Sequence, residues 1–338
     1  MNARCAAIMS SQHGLLLRRQ ALGTGMSPEE VRRRVRVGEW VAVRRGVYTT
    51  AALWECLDVY VGRPLLVVRA ASLNSVMPHV ISHDSAALLH GLPLVRSPPA
   101  LVHVTRFGVL GHRTRHGVKH HQAPFRPEQV VLIDGLPVLD RARTAADLGR
   151  EHGLKQGVAA CDAALRLGDS RRDLAAAVED MRSWPYVTPA RAAVELADDG
   201  AESIGESLSR VLLTETGVGQ VETQFGLRDR GVEAWCDLRV GRHVIEFDGR
   251  VKYRRVEDGG VAQRPVEDVV WLEKQRQDFI CGFKLGMSRL VWADLQPDQW
   301  SRTQQRLLRE IRDTDARFGT SIADLAPYVI RSPRRRSA

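Results

Sequence analysis

Apolar positions in the first fifty residues recur at helical spacing and then alternate. The run from Gln12 predicts a helix ending near Leu22, and Gly25-Met26-Ser27-Pro28-Glu29-Glu30 follows. Ser27 is placed to cap a second helix, with Pro28 at its first position and Glu30 at the capping-box position. That helix reads Val31-Arg32-Arg33-Arg34-Val35-Arg36, Gly38 stops it, and Trp40 to Tyr48 alternates as a hairpin or wing. A mixed middle follows, with Pro-rich loops at Pro93 to Pro99 and Pro124 to Pro127. Helical patterns over roughly 143 to 180 and 188 to 198 close it, and Asp198-Asp199-Gly200 breaks the pattern. Beyond the break, a helix at about 202 to 216 carries Leu208, Val211 and Leu212 on one side. Strands are predicted at about 221 to 227, 234 to 240 and 243 to 248, then a polar loop, a helix from about Val266 to Gly282, and a strand at Ser288 to Trp292. The fold class is mixed α/β. A winged helix-turn-helix occupies 1–55, a mixed α+β region 56–200, an αβββαβ core 201–300, and a C-terminal helix with a basic disordered tail 301–338.

Composition narrows the partners. Over 338 residues the net charge is +9 and the pI near 9.7, which favours a polyanion, nucleic acid before an acidic membrane surface. Eight arginines and three glutamates lie between Gly14 and Gly46. Arg32, Arg33, Arg34 and Arg36 on the second helix, with Arg44 and Arg45 in the wing, are therefore the candidate DNA contacts. The same basic helix also reads as a solvated docking arm. No stretch approaches 18 uninterrupted apolar residues and no signal peptide is visible, so a soluble cytoplasmic protein without a membrane partner is expected. The five cysteines form no C-x-x-C pair, which suggests neither a disulfide framework nor a thiolate zinc site. Seven histidines crowd His83 to His121, but adjacent His120 and His121 point to opposite faces of a strand. The spacing therefore favours polar or phosphate-contacting roles over zinc. No phosphate loop or nucleophile elbow is present.

The most specific chemistry lies in Asp237 to Gly249. With Gly241-Arg242 as a two-residue turn, Val240 faces His243, Asp237 faces Glu246 and Trp235 faces Asp248. Alternation then sets Asp237, Glu246 and Asp248 on one face and Cys236, Leu238, Val240, Ile245 and Phe247 on the other. Like charges opposed at roughly 5 Å destabilise a sheet unless compensated. A hard divalent cation compensates them, and so does an exposed hairpin whose acids pair with Arg239, Arg242 or Arg250.

The αβββαβ order, with Glu206 in the first helix, Asp237 and Glu246 on successive strands and Glu273-Lys274-Gln275-Arg276 behind them, resembles the PD-(D/E)XK, or restriction-endonuclease-like, superfamily. Val244 to Gly249 with Lys252-Tyr253, and Glu273-Lys274-x-Arg276…Gly286…Arg289…Trp292-x-Asp294-Leu295, resemble an uncharacterised actinobacterial branch near the Vsr-like endonucleases. The resemblance covers about 200 to 296. It implies hydrolysis of a DNA phosphodiester with Mg²⁺ (or Mn²⁺) held by Asp237 and Glu246, Glu206 at the rim, and Lys252, Lys274 and Arg276 as phosphate contacts. Glu206 also reads as an i,i+4 partner of Arg210 on a solvated face. Asp248 stands where the superfamily places a lysine, so the alternative to a DNA endonuclease or nickase is an antitoxin-like transcriptional regulator that binds DNA without cutting it. Residues 12 to 48, with the Gly-x-Trp…Arg-Gly-Val-Tyr ending, resemble the winged-helix domain of AbiEi-type antitoxins from abortive-infection systems, which implies a toxin or defence-system partner. Ser82-His83-x-Ser85-Ala86-Ala87-x-Leu89-His90-Gly91 and Arg143-Thr144-Ala145-Ala146-Asp147-Leu148 look like parts of the same architecture, without assignable chemistry. The DNA substrate and the oligomeric state leave no trace in the sequence.

Overall fold

The structure, a computed structural model, describes residues 3–95, 101–106, 113–249 and 266–331, with backbone alone at 266–270 and 331. The chain divides into two compact units, residues 1–160 with 173–191 and residues 161–172 with 192–338.

The first unit opens with helices Ala3–Ser11, Arg18–Gly23 and Pro28–Arg36, followed by the hairpin of strands Trp40–Arg44 and Val47–Thr50. Leu16–Leu17 pairs with the second hairpin strand to complete a three-stranded sheet. This is the winged-helix arrangement that the alternation predicts. Ser27 Oγ accepts from the Glu30 backbone N–H at 3.1 Å, with Pro28 in the first turn, a cap of the kind that contributes about 1 kcal/mol. Behind it Cys5, Met9, Leu16, Ala21, Met26, Val31, Trp40 and Tyr48 form one core.

The rest of the unit is built on a six-stranded sheet ordered 113–115, 118–121, 102–105, 80–81, 136–139, 130–133. Helices Gly62–Leu73, His83–His90 and Arg141–His152 accompany it. The long helical pattern predicted from 143 resolves into Arg141–His152, Leu154–Arg166 and Arg171–Glu179. Gly153 and Gly168, both at positive φ, sit at the two breaks.

In the second unit helix Ile204–Thr216 is followed by strands Glu222–Asp229, Val232–Val240 and His243–Asp248, helix Val266–Gly282 and strand Gly286–Val291. This is the expected αβββαβ order. Beyond it lie helix Trp300–Phe318, a short 3-10 turn at Ala323–Leu325, and the short strand Val329–Arg331, which pairs with Phe225–Leu227. The sheet order is 286–291, 243–248, 232–240, 222–229, 329–331, with 243–248 parallel to 286–291 and the other pairs antiparallel.

Candidate functional site

The hairpin turns where the sequence says, with Val240 opposite His243 and Leu238 opposite Ile245. Gly241 takes φ 53, a conformation open to glycine at little cost at the first position of such a turn. Beyond Leu238 and Ile245 the backbone ladder gives way to side chains. The Phe247 N–H donates to Asp237 Oδ2 at 2.8 Å, and Arg276 Nη2 donates to the Trp235 carbonyl at 3.2 Å. Opposite Asp237 on the neighbouring strand, Gln224 adopts φ 53 and drops out of the pairing.

This irregularity alters the predicted faces. Cys236 packs in one cluster with Val244, Ile280 and Leu285, and Arg239 stacks on Phe225 at 4.7 Å. Cys236 therefore shares the side of Val244, not that of Ile245, because strict alternation is interrupted at Asp237. Nor is this an exposed hairpin. Arg239 is buried against Glu222 and the Gly241 carbonyl, and Arg242 is buried against Asp324 and the Ser321 and Phe283 carbonyls. Neither compensates the acids, and Arg250 lies outside the described residues.

The acids nonetheless converge. Asp237, Glu246 and Asp248 line one cleft of about 50 Å³ together with Phe247, Glu273, Arg276 and Arg289. Arg276 donates to Glu246 Oε1 through both terminal nitrogens, one at 2.6 Å. Arg289, level with Glu246 on the parallel strand, holds Glu273 and reaches within 4.0 Å of Glu246 Oε2. Burial raises the Glu246 pKa against the pull of Arg276, with Asp237 adding to the rise. Glu206 is pushed up to about 7, first by burial and then by repulsion from Asp237. Its carboxylate accepts from the Glu202 N–H and Ser203 Oγ, both at 2.8 Å, at the start of its helix. Arg210 is not its partner. That guanidinium is buried on Asp162, 2.8 Å from each carboxylate oxygen.

Gly205 brings Glu206 this close. A Cβ at residue 205 would lie 2.0 Å from the Phe247 ring, itself packed edge-on against Trp292 with centroids 5.1 Å apart. Of the predicted phosphate contacts, Arg276 is engaged with Glu246, Lys274 is exposed on its helix and does not line the cleft, and Lys252 lies outside the described residues. Glu273 and Arg289 belong to the motifs that carry the family resemblance, which assigns them no role. Arg289 reaches the cleft through the parallel register of Gly286–Val291 and Glu273 from helix Val266–Gly282, neither of which spacing gives.

On helix Pro28–Arg36, Arg32, Arg33 and Arg36 are exposed. Arg32 pairs with Glu29, and Arg33 lies 3.5 Å from Glu39. Arg34 belongs to the fold: it bridges Glu30 at 3.3 Å and Glu39 at 2.6 Å and sits over the Trp40 ring. In the wing Arg45 is exposed, while Arg44 donates to the His116 carbonyl. Arg44 also lines a pocket of about 180 Å³ with Arg106, Arg115, His79, His116 and His120, and no carboxylate among the described residues lines it. An array of cations without an acid suits phosphate oxygens.

Comparison with known proteins bears on this end of the chain. Residues 6–51 match the family described as "Transcriptional regulator, AbiEi antitoxin". The N-terminal module is thus AbiEi-antitoxin-like, by sequence and by its winged-helix form. Two curated Mycobacterium tuberculosis relatives are similar, the uncharacterized proteins MT2308 (strain CDC 1551 / Oshkosh) and Rv2248 (strain ATCC 25618 / H37Rv). Each is 27% identical over 224 residues, covering 64% of this chain and 77% of the relative. Among solved structures, that of the RV2827C protein from Mycobacterium tuberculosis matches with 13% identity and a TM-score of 0.36, over 62% of this chain and 80% of the other. None of the three is described by an activity. No helix among the described residues is long and apolar enough to cross a membrane.

Proposed function

We propose that this chain is a cytoplasmic DNA-binding transcriptional regulator of the AbiEi-antitoxin kind, working beside a toxin or defence-system protein. The observation that carries the reading is the family match over residues 6–51, falling on a capped helix that exposes Arg32, Arg33 and Arg36. The wing and the acid-free pocket lined by Arg44, Arg106 and Arg115 extend the basic surface within the same unit. Exposed arginines of this type hold phosphates and set the orientation of a duplex, while base-edge contacts supply specificity. A regulator must discriminate among sequences. Sheared DNA from the source genome, passed over the purified chain and sequenced after elution, is expected to be enriched in a small set of recurring sites. Uniform recovery of all fragments would sink the proposal.

A second reading, a Mg²⁺-dependent endonuclease, is favoured by one observation: Asp237, Glu246 and Asp248 line a single cleft with Glu206 nearby. The donor set fits a hard cation, because among the described residues four carboxylates line the cleft against two arginines. Asp237, Glu246 and Asp248 would hold Mg²⁺ or Mn²⁺, whose part would be to polarise water and the scissile phosphate. Arg289 would orient the phosphate, and Arg276 would have to release Glu246 to do the same. Supercoiled plasmid incubated with the protein and either cation tests this, with Asp237→Ala and Glu246→Gln as controls. Nicking that both variants abolish supports an enzyme. Absence of metal-dependent nicking leaves the cleft as an inert remnant in a DNA-binding protein.

A further inference from the structure

The two middle-region motifs that the sequence leaves without chemistry meet in the core of the first unit. Ser82, His83 and Ser85 from one, and Arg143, Thr144 and Asp147 from the other, are buried there around His103 and His121. Sequence alternation sends His120 and His121 to opposite faces, and so they lie: His120 lines the basic pocket while His121 turns inward. The inward partner comes from the neighbouring strand. Thr105 is level with His121 in the parallel pair, so His103, two residues earlier, shares its face. His83 arrives at the start of helix His83–His90 with φ 49, a strained conformation for a residue with a side chain.

We propose that His83, His103 and His121 form a binding site for a borderline divalent transition-metal ion of the Zn²⁺ class. All three side chains are buried, at 3%, 4% and 1% exposure, and one nitrogen from each lies within 4.8 Å of the others. His121 Nε2 and His103 Nδ1 are 3.1 Å apart. Two imidazoles on one tetrahedral ion, each about 2.0–2.1 Å from it, hold their nitrogens roughly 3.3 Å apart. That pair is already near ligating separation. His83 lies face to face on His121, with centroids 3.6 Å apart and planes at 14°, so loading requires its ring to turn off the stack.

The surroundings suit an ion. Ser82 Oγ is 3.0 Å from His83 Nδ1, and Asp147 Oδ1 lies 4.0 Å from His83 Nε2. At that distance the Asp147 carboxylate offsets positive charge near the ring without bonding it. Asp147 is itself held by Arg143 and Arg150, and the nearby acids Asp84 and Glu151 are paired with His152 and Lys119. An all-imidazole set selects Zn²⁺, Co²⁺, Ni²⁺ or Cu²⁺ and has no hard oxygen for Mg²⁺. The two candidate sites of the chain therefore differ in the class of cation they would take.

Chelator-stripped full-length protein, kept in millimolar Mg²⁺ to occupy the carboxylate cleft, should bind one Co²⁺ or Zn²⁺ per chain. Cobalt binding should bring visible d–d absorption. The paired change His103→Asn with His121→Gln should weaken binding at least a hundredfold, whereas His120→Gln, and Asp237→Asn with Glu246→Gln, should leave it unchanged. A test on the parent alone guards against variants that fail to fold. In long-range ¹H–¹⁵N spectra, Zn²⁺ should shift three of the eleven histidine rings. No stoichiometric binding by the parent, binding that persists in the folded paired variant, or shifts confined to other histidines would overturn the proposal.

Discussion

His243 shows how a single buried residue ties this fold to pH. Its ring bonds Thr314 Oγ1 and Ser288 Oγ, both at 2.7 Å, and burial lowers its pKa to about 4, with Glu310 pulling the other way. In the unfolded chain an imidazole titrates near 6.5. The folded form thus resists protonation between these values, and the stability present above pH 6.5 is lost as pH falls toward 4. The loss amounts to about 3 kcal/mol. Thermal melts at pH 7 and pH 4.5 should show a larger fall in Tm for the parent than for His243→Gln; equal falls would remove His243 as the cause. Glu206 works in the opposite sense, since its folded pKa of about 7 lies above that of a free glutamate. Its stabilising contribution is complete below about pH 4.3 and is lost as pH rises through 7. Glu206→Gln should accordingly gain more stability relative to the parent at pH 8 than at pH 5. None of this is legible in the sequence, where both residues carry only their ordinary chemistry. The shifts come from helices Trp300–Phe318 and Ile204–Thr216 covering the sheet.

At the scale of elements, period and punctuation carry far. Ser27-Pro28, Gly241-Arg242 and the alternation of the three long strands predict a capped helix, a tight hairpin and their places in the order, because each depends on local backbone preferences. What fails is what depends on neighbours distant in sequence. Gln224 takes a positive φ opposite Asp237, and Cys236 lies on the side of Val244 rather than that of Ile245. Val329–Arg331 pairs with a strand a hundred residues earlier and has no signature of its own. Gly205 reads as an indifferent helix residue, yet the helix approaches Phe247 only because it lacks a Cβ. Gly205→Ala forces the helix off the ring, and overpacking of this kind costs typically 1–3 kcal/mol. A lowered urea midpoint at unchanged slope would bear this out, whereas a stability equal to the parent's would mean that the contact yields freely.

For the molecule as a whole, the sequence points to Asp237, Glu246, Asp248 and Arg276 at the cleft but not to Glu273 or Arg289, nor to the pairing of Arg276 with Glu246. Arg276 and Arg289 reach Glu246 from a helix and from a parallel strand, and both connections run through long-range topology. The basic face of the N-terminal unit is easier to read, since charge and amphipathic spacing mark it directly. Even there Arg34 is diverted to Glu30, Glu39 and Trp40, which leaves Arg32, Arg33, Arg36 and Arg45 as the exposed set. The central claim is that this face binds DNA, and the salt dependence of duplex affinity tests it most directly. Each phosphate neutralised contributes about 0.9 to the slope of log K against log salt. Replacing Arg32, Arg33, Arg36 and Arg45 by glutamine should weaken binding and flatten that slope by about 3 to 4. A parent that fails to bind duplex DNA at low salt, or a variant whose slope equals the parent's, would contradict the account.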